Sequence, residues 1–293
     1  MSLQDWLRTL SDLNFWIPAL CSMILALASA LVGSISVLRG QSLIGDAIGH
    51  ASLPGVMLAF MLFLNRDPWL LMLGAMCFGY IAYQTIEYLA GPRKENLDRA
   101  LAIVLSSFFG LGICFKSVIQ SFPRYQSVPK GGLETYFFGQ AALAAKQDLY
   151  FILIVAGLTI ALFLLFYKEI SLSIFDLHFA TLSGFRPQLV GNLSLILILA
   201  LIAAGLRVVG AILIASLLIA PTVCAKQWTR TYKSLLRLAA VISLVSAFLG
   251  NLLGRLAWPN GAAIVFVLSL LTIFSIFFGK ESRLYKRRQS RRA

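Results

Sequence analysis

Residues 39–55 read RGQSLIGDAIGHASLPG, and the rest of the chain is organised around them. The stretch joins two apolar runs, and its last two thirds are expected to lie inside a lipid bilayer. There it carries one carboxylate, Asp46, and one imidazole, His50. An ionisable group at membrane depth costs at least about 2–3 kcal/mol, so such a group usually serves a function. The spacing of Asp46 and His50 places them, on a helix, on one face and one turn apart.

The composition is that of a membrane protein. Of the 293 residues, 59% are hydrophobic and 13% are charged. Apolar runs of about twenty residues recur along the whole chain, which is the length a helix needs to cross a bilayer. The sequence therefore predicts an all-α polytopic membrane protein with about nine transmembrane helices. The candidate crossings are 16–38, 43–64, 69–90, 99–118, 148–167, 189–206, 208–226, 235–254 and 260–279.

Basic loops predict the orientation of these helices. Three loops hold most of the loop lysines and arginines, and they fall on the same side as the C-terminal tail: 91–99, 167–170 and 226–233. The positive-inside rule places that side in the cytoplasm and the N-terminus outside. The region 189–226 has an alternative, because a break is predicted at Gly205, Leu206 and Arg207. If 189–226 is one bent crossing, the total is eight and the N-terminus changes side.

The chain divides into three parts. Residues 1–15 are expected to form a short interfacial amphipathic segment, 16–279 the transmembrane domain, and 280–293 a basic cytoplasmic tail. The long loop 119–147 is expected outside, with a short helix over the entrance. The net charge of +13 orients the helices and does not indicate nucleic-acid binding, because no basic platform with interleaved aromatic residues accompanies it.

Enzyme signatures are missing from the sequence. It contains no HExxH, no GxSxG and no GxxxxGK[ST] motif, and its two histidines are too few for a multi-histidine catalytic centre. The four cysteines lie in apolar runs without a CxxC pair, so we interpret them as small buried hydrophobic residues. A transporter that lacks its own ATP site is therefore favoured over an intramembrane enzyme, for which no nucleophile and base are present.

The Asp46–His50 pair has two interpretations. A carboxylate oxygen and a neutral imidazole nitrogen suit a first-row divalent cation such as manganese, iron or zinc. Alternatively Asp46 pairs with Arg39, which lies close to the same face, and His50 is a packed core residue. The neighbouring helix-breaking and small residues favour a pathway through the protein, because broken helices at membrane depth usually line one. The residues expected to support this pathway are Gly45, Gly49 and Pro54, together with the charged Arg39.

A second informative stretch, ISLSIFDLHFATLSGFR, covers residues 170–186. It is amphipathic, lies between crossings on the basic side, and is too polar to span a membrane. It is either a plain loop helix or a short rigid helix that docks on a partner. Its apolar anchors and its helix stop are Ile174, Phe175, Leu177, Phe179 and Ser183-Gly184.

Six segments, in order, resemble the permease subunits of ATP-binding-cassette (ABC) importers for manganese, zinc and iron, which are type II-like permeases. The first and most specific is GDAIGHASLPG at 45–55. The others are ENLDRALAIVLSSFFGLGI at 95–113, GGLETYFFGQAALAAKQDL at 131–149, FDLHFATLSGF at 175–185, VVGAILIASLLIAPTVCAK at 208–226 and WPNGAAIVFV at 258–267. Ala102 stands where this family is expected to have a glycine. The resemblance covers nearly everything from residue 30 to residue 279.

The resemblance implies roles for individual residues. Asp46 and His50 would contact the ion during passage. The segment 174–184 would be the coupling helix that contacts the ATPase, with Phe175, Asp176, Ala180 and Gly184 matching the family pattern. Because Ala180 and Gly184 are four positions apart, we expect them to form one flat strip that allows the ATPase to approach closely.

The resemblance also implies partners. These are two copies of an ABC ATPase subunit that binds ATP, an extracellular or periplasmic metal-binding protein, and a second permease copy, identical or related. No intrinsic cofactor is expected, and the cargo would be Mn²⁺, or else Fe²⁺ or Zn²⁺, carried across the bacterial plasma (inner) membrane. The FFGQAA segment is more similar to the manganese and iron branch than to the zinc branch. The alternative function is a secondary transporter that uses Asp46 and His50 as a proton or ion relay.

Overall fold

The structure is a computed structural model that describes residues 13–91, 95–122, 125, 139, 144–256 and 258–279. Its regular structure in these ranges is helical. The helices are α1 (Leu13–Leu38), α2 (Ile44–Ala51), α3 (Leu53–Phe63), α4 (Pro68–Ala90), α5 (Leu97–Ser121), α6 (Lys146–Leu165), α7 (Tyr167–Phe175), α8 (Leu177–Leu182), α9 (Pro187–Val208), α10 (Gly210–Lys226), α11 (Tyr232–Gly254) and α12 (Asn260–Phe278).

The predicted multi-pass helical architecture is confirmed. Within the described residues, eight segments are long and apolar enough to cross a membrane, with α2 and α3 together forming one of them. A further apolar helix, α10, has 17 residues. All nine correspond to the predicted crossings and differ from them by only a few residues at each end. Residues 1–12 of the predicted terminal segment and the whole predicted basic tail 280–293 lie outside the described residues, and so does most of the loop 119–147.

The connection between α9 and α10 is a reversal of the chain. A Cβ added at Gly205 would lie 2.6 Å from Ile214 Cδ1. Residues nine positions apart in one straight helix are separated by about 13 Å, so the two helices fold back on each other and form two crossings. The predicted position of the break, at 205–207, was wrong: the turn is at Val209, where Gly210 has a φ of +79°. Gly205 serves instead as the small residue against which Ile214 packs.

Close glycine contacts hold the helices around α2 and α3. A Cβ at Gly33 of α1 would overlap the carbonyl of Leu218 in α10, and a Cβ at Gly55 of α3 would overlap the carbonyl of Gly74 in α4. Small residues at such crossings let helix backbones approach closely, which is how helices associate where lipid offers no hydrophobic driving force. These contacts hold α10 on α1 and α4 on α3, and α2 packs against both α10 and α4.

The crossing formed by α2 and α3 is interrupted at Ser52. The Ser52 hydroxyl donates to the carbonyl of Ile48 at 2.8 Å, and Pro54 occupies the first turn of α3. Proline fits there because the first helical N–H groups have no partner within the helix. Gly112 of α5 packs against Pro54, where an added Cβ would lie 3.2 Å from the ring. The break therefore sits in a packed environment directly after His50.

Candidate functional site

Asp46 and His50 lie on one face of α2, as their spacing predicts. Asp46 Oδ1 and His50 Nε2 are 3.6 Å apart, and the two side chains are 39% and 21% exposed, respectively. That distance is too long for a good hydrogen bond between them. The two atoms nevertheless converge on the same space beside the helix.

The other residues of α2 pack against neighbouring helices, which leaves the face with Asp46 and His50 as its polar face. Gly45, Ala47, Ile48 and Gly49 are buried against neighbouring helices. A Cβ at Gly45 would lie 3.3 Å from a methyl group of Leu218 in α10, and one at Gly49 would lie 3.9 Å from a methyl group of Ile202 in α9. The two glycines thus bring α10 and α9 close to the helix that carries Asp46.

The imidazole of His50 is held in one orientation. Its ring meets Phe109 of α5 edge to face, with ring centroids 5.3 Å apart and an interplanar angle of 89°. Nδ1 is buried and makes no hydrogen bond within the part of the chain that the structure describes. Nε2 is therefore the ring nitrogen that faces Asp46 and the space beside it.

An open cavity of about 330 Å³ adjoins the Asp46 carboxylate, between α2, α10 and α12. Its walls are mostly apolar, and the hydroxyls of Ser216 and Ser269 are the further side-chain polar groups of the lining. Ser216 Oγ donates to the carbonyl of Ile212 at 2.9 Å. The lining consists of Leu43, Asp46, Ile212, Ala215, Ser216, Ile219, Ala220, Leu268 and Ser269. The Asp46 carboxylate is the charged group of this lining, so it would supply the negative charge that attracts a cation.

Arg39 contacts Ser173 rather than Asp46, with which it would pair if Asp46 had a purely structural role. Its Nη2 donates to Ser173 Oγ of α7 at 2.9 Å. Burial lowers the pKa of the Arg39 guanidinium from its ordinary value, whereas nearby Tyr83 and Tyr232 raise it. The Asp46 carboxylate faces His50 and the cavity, so a pairing with Arg39 does not account for its presence.

The predicted coupling segment forms a short capped helix. Helix α8 begins after Asp176, whose Oδ1 accepts a hydrogen bond from the N–H of Phe179 at 2.8 Å. It ends in a turn in which Gly184 has a φ of +83° and donates to the carbonyl of Thr181 at 3.1 Å. This capping motif is common at helix C-termini and favours glycine at that position. The expected rigid helix with a stop at Ser183-Gly184 is present.

The expected flat strip on this helix was wrong. Ala180 is 1% exposed and faces the interior of its own chain, and Gly184 lies beyond the helix in the turn. The small side chain of Ala180 lets α8 lie close to the rest of the chain. The exposed residues of this segment include four large apolar side chains: Phe175 (63% exposed), Leu177 (55%), Phe179 (56%) and Leu182 (87%).

Two features of the site were missed by sequence reasoning. Phe109, which orients His50, and Ser216, which lines the cavity, lie in segments 95–113 and 208–226 without a motif of their own. The signal available for Ser216 was its polarity within an otherwise apolar crossing. Among the described residues, no group of three or more His, Cys, Asp or Glu side chains could hold a metal ion, so Asp46 and His50 are a pair of candidate ligands without a third such side chain beside them.

Comparison with known proteins decides the family. The family model described as "ABC 3 transport family" matches residues 13–279. The chain belongs to this family. It is 36% identical over 291 residues to the zinc transport system membrane protein TroC of Treponema pallidum, covering 97% of this chain and 96% of TroC. It is 35% identical over 276 residues to the manganese transport system membrane protein MntC of Bacillus subtilis, covering 92% of this chain and 62% of MntC.

A solved structure supports the fold. The structure of PsaBC from Streptococcus pneumoniae in complex with Fab matches with a TM-score of 0.84 and 27% identity, covering 98% of this chain and 100% of the matched chain. The chain is thus an all-α, multi-pass membrane protein of an ABC transport family, and its resemblance to the permease subunits is confirmed.

Proposed function

We propose that the chain is the membrane permease subunit of an ABC importer for divalent metal ions in the bacterial plasma membrane, with manganese as the first candidate and iron or zinc next. The observation that carries the proposal is that Asp46 lines an open cavity and faces His50 at 3.6 Å on the same helix, within a chain of this family. Relatives named for zinc and manganese transport support the cargo class.

The geometry of the pair suits a bridging ion. With metal–ligand bonds of about 2.0–2.2 Å, two ligand atoms 3.6 Å apart subtend an angle of roughly 110–130° at the metal. An octahedral shell needs about 90°, so Asp46 Oδ1 and His50 Nε2 would approach each other by roughly half an ångström when manganese binds. The carboxylate supplies a negative charge that offsets the dication where water does not screen it.

Two ligands from one chain are too few to hold an ion, and we propose that a second permease copy supplies the same pair. The 39% exposure of Asp46 leaves it accessible to such a copy. Two carboxylates and two imidazoles, with water, would then surround the cargo. A mixed oxygen and nitrogen set accepts manganese, iron and zinc, so selectivity would come from geometry and from the protein that delivers the ion.

The energy source is proposed to be a separate ABC ATPase, present in two copies, that docks on the outward face of α8. Phe179 and Leu182 present the apolar surface that such a contact needs. The position of this face, on the side that the basic loops place in the cytoplasm, supports the assignment. A metal-binding protein outside the cell would deliver the ion to the opposite face.

The test is uptake of Mn²⁺, Fe²⁺ and Zn²⁺ by the complex of permease and ATPase in proteoliposomes, with and without ATP. We expect ATP-dependent uptake, and its loss in Asp46→Asn, which keeps a carbonyl oxygen but removes the charge, and in His50→Ala. Asp67→Asn is the matched control, because Asp67 lies in an exposed turn and caps α4 through a bond to the N–H of Trp69 that asparagine retains.

Two results would contradict the proposal. Full uptake by Asp46→Asn would show that the ion takes another route. Uptake driven by a proton gradient without the ATPase would instead favour the secondary transporter, in which Asp46 and His50 relay a proton.

A further inference from the structure

A polar contact apart from the cavity joins two distant parts of the chain. Arg39 Nη2 donates to Ser173 Oγ at 2.9 Å, although the two residues are 134 positions apart. The Ser173 hydroxyl in turn donates to the carbonyl of Ile170 at 3.3 Å. Ser173 is only 6% exposed, so water competes little for this hydrogen bond. Because its donor is charged, the contact is stronger than a neutral hydrogen bond.

Arg39 is tied rigidly to the helix that carries the candidate metal ligands. It is the first residue after α1, in a turn in which Gly40 (φ +71°) and Gln41 donate to carbonyls of α1 at 3.2 and 2.9 Å. The N–H of Ile44, the first residue of α2, donates to the carbonyl of Gln41 at 3.1 Å. Consecutive hydrogen-bonded turns therefore connect Arg39 to α2, and a displacement of Arg39 displaces the start of that helix, close to Asp46.

Ser173 is tied equally closely to the proposed ATPase contact. It lies in α7, and the single residue Asp176 separates α7 from α8. Asp176 bonds to both helices: its N–H donates to the carbonyl of Leu172 at 2.9 Å, and its carboxylate accepts from the N–H of Phe179 at 2.8 Å. A force applied to α8 thus reaches Ser173 through a continuous hydrogen-bonded segment.

Aromatic contacts fasten both ends of α7 to α11. Tyr167 stacks on Tyr232 of α11, with ring centroids 5.6 Å apart and an interplanar angle of 8°, and Phe175 meets the same ring edge to face at 5.7 Å. The Tyr232 hydroxyl lies 3.1 Å from Ser34 Oγ of α1. Contacts on α11 therefore hold α7, and the Arg39–Ser173 hydrogen bond joins the same helix to the turn that leads into α2.

We propose that Arg39 is a positioning residue for transport, which passes a displacement of α7 and α8 to α2 and so to Asp46 and His50. This rests on the proposed function, because it places the ATPase on α8 and the ion at Asp46. Arg39 does not contact the ion. Its contribution is to couple ATP hydrolysis to movement of α2, the helix that carries the candidate metal ligands.

The first test measures metal transported per ATP hydrolysed by the full complex in proteoliposomes. We expect this ratio to fall about tenfold in Arg39→Gln and in Ser173→Ala, while assembly is retained and ATP hydrolysis stays within about twofold. The double variant should be no worse than the poorer single variant, because both remove one contact. Arg39→Lys, which keeps a charged donor, should recover part of the ratio. Lys168→Gln, which removes an exposed charge from α7, is the control and should leave it unchanged.

The second test does not depend on metal. Hydrogen exchange of the amides in 40–48 is compared between the nucleotide-free and the ATP-trapped complex. We expect a nucleotide-dependent change in the unmodified complex and its loss in Ser173→Ala. A change that persists in this variant, or an unaltered ratio of metal to ATP in Arg39→Gln and Ser173→Ala, overturns the inference. If the unmodified complex moves no divalent metal, the proposed function fails, and the exchange comparison still decides the role of Arg39.

Discussion

Replacing Gly33 by alanine is expected to separate two helices that are now in backbone contact. The added Cβ would overlap the carbonyl oxygen of Leu218 and lie 2.8 Å from its Cα, where ordinary contacts begin near 3.4 Å. Because the obstacle is backbone, α1 and α10 must move apart by about 1 Å or more. Overpacking of this kind costs roughly 1–3 kcal/mol. Leu218 also contacts α2 at Gly45, so the shift would displace the cavity wall beside Asp46.

The assay is thermal unfolding of the purified chain in detergent, followed by metal uptake by the assembled complex. At roughly 2–4 °C per kcal/mol for a chain of this size, we expect the unfolding midpoint of Gly33→Ala to fall by several degrees. The matched control is Gly157→Ala in α6, where no atom lies within 4 Å of the added Cβ. An unfolding midpoint and an uptake rate equal to those of the control would refute the close contact between α1 and α10.

Two further changes test other contacts. Asp148→Asn should destabilise the chain by roughly 1–3 kcal/mol, because it leaves the half-buried Arg207 guanidinium without the carboxylate that is now 2.7 Å from its Nε. Adding Arg207→Met should recover part of the lost stability, measured by thermal unfolding, and no recovery would argue against this ion pair. Gly184→Val should reduce co-purification with the ATPase without affecting membrane insertion, because a φ of +83° costs a branched residue about 1–2 kcal/mol or more. Gly184→Asn should retain most of the co-purification, and equal losses in the two variants would assign the effect to side-chain bulk.

Much of the fold could be predicted because bilayer thickness and hydropathy determine where a crossing begins and ends. The crossings therefore agree with the helices to within a few residues. The turn between α9 and α10 could not be located as well, because Gly205, Gly210 and their neighbours are all compatible with a break. Only the packing of Ile214 on Gly205 shows which glycine is needed for its small size and which for its left-handed backbone.

The candidate site was predictable to the extent that it is local. Asp46 and His50 belong to one helix turn, so their spacing sufficed to place them together. The inward orientation of Ala180 was not predictable. The spacing of Ala180 and Gly184 indicates a flat helix face, but it does not indicate whether that face contacts a partner or the rest of the same chain. The hydrogen bond between Arg39 and Ser173 joins residues 134 positions apart, so no local sequence pattern predicts it.

The one-residue turn at Val209 limits how the protein can change shape. Helices α9 and α10 share this turn and interlock at Gly205 and Ile214, so neither can slide along the other. Connections of several residues, such as 227–231 after α10, leave more freedom. We therefore expect the parts of α9 and α10 next to this turn to move together when the protein alternates between inward and outward states. Spectroscopic labels placed on these two helices next to the turn should keep a constant separation through the transport cycle. That separation would be the reference distance with which changes in the distance from α2 to α10 are compared.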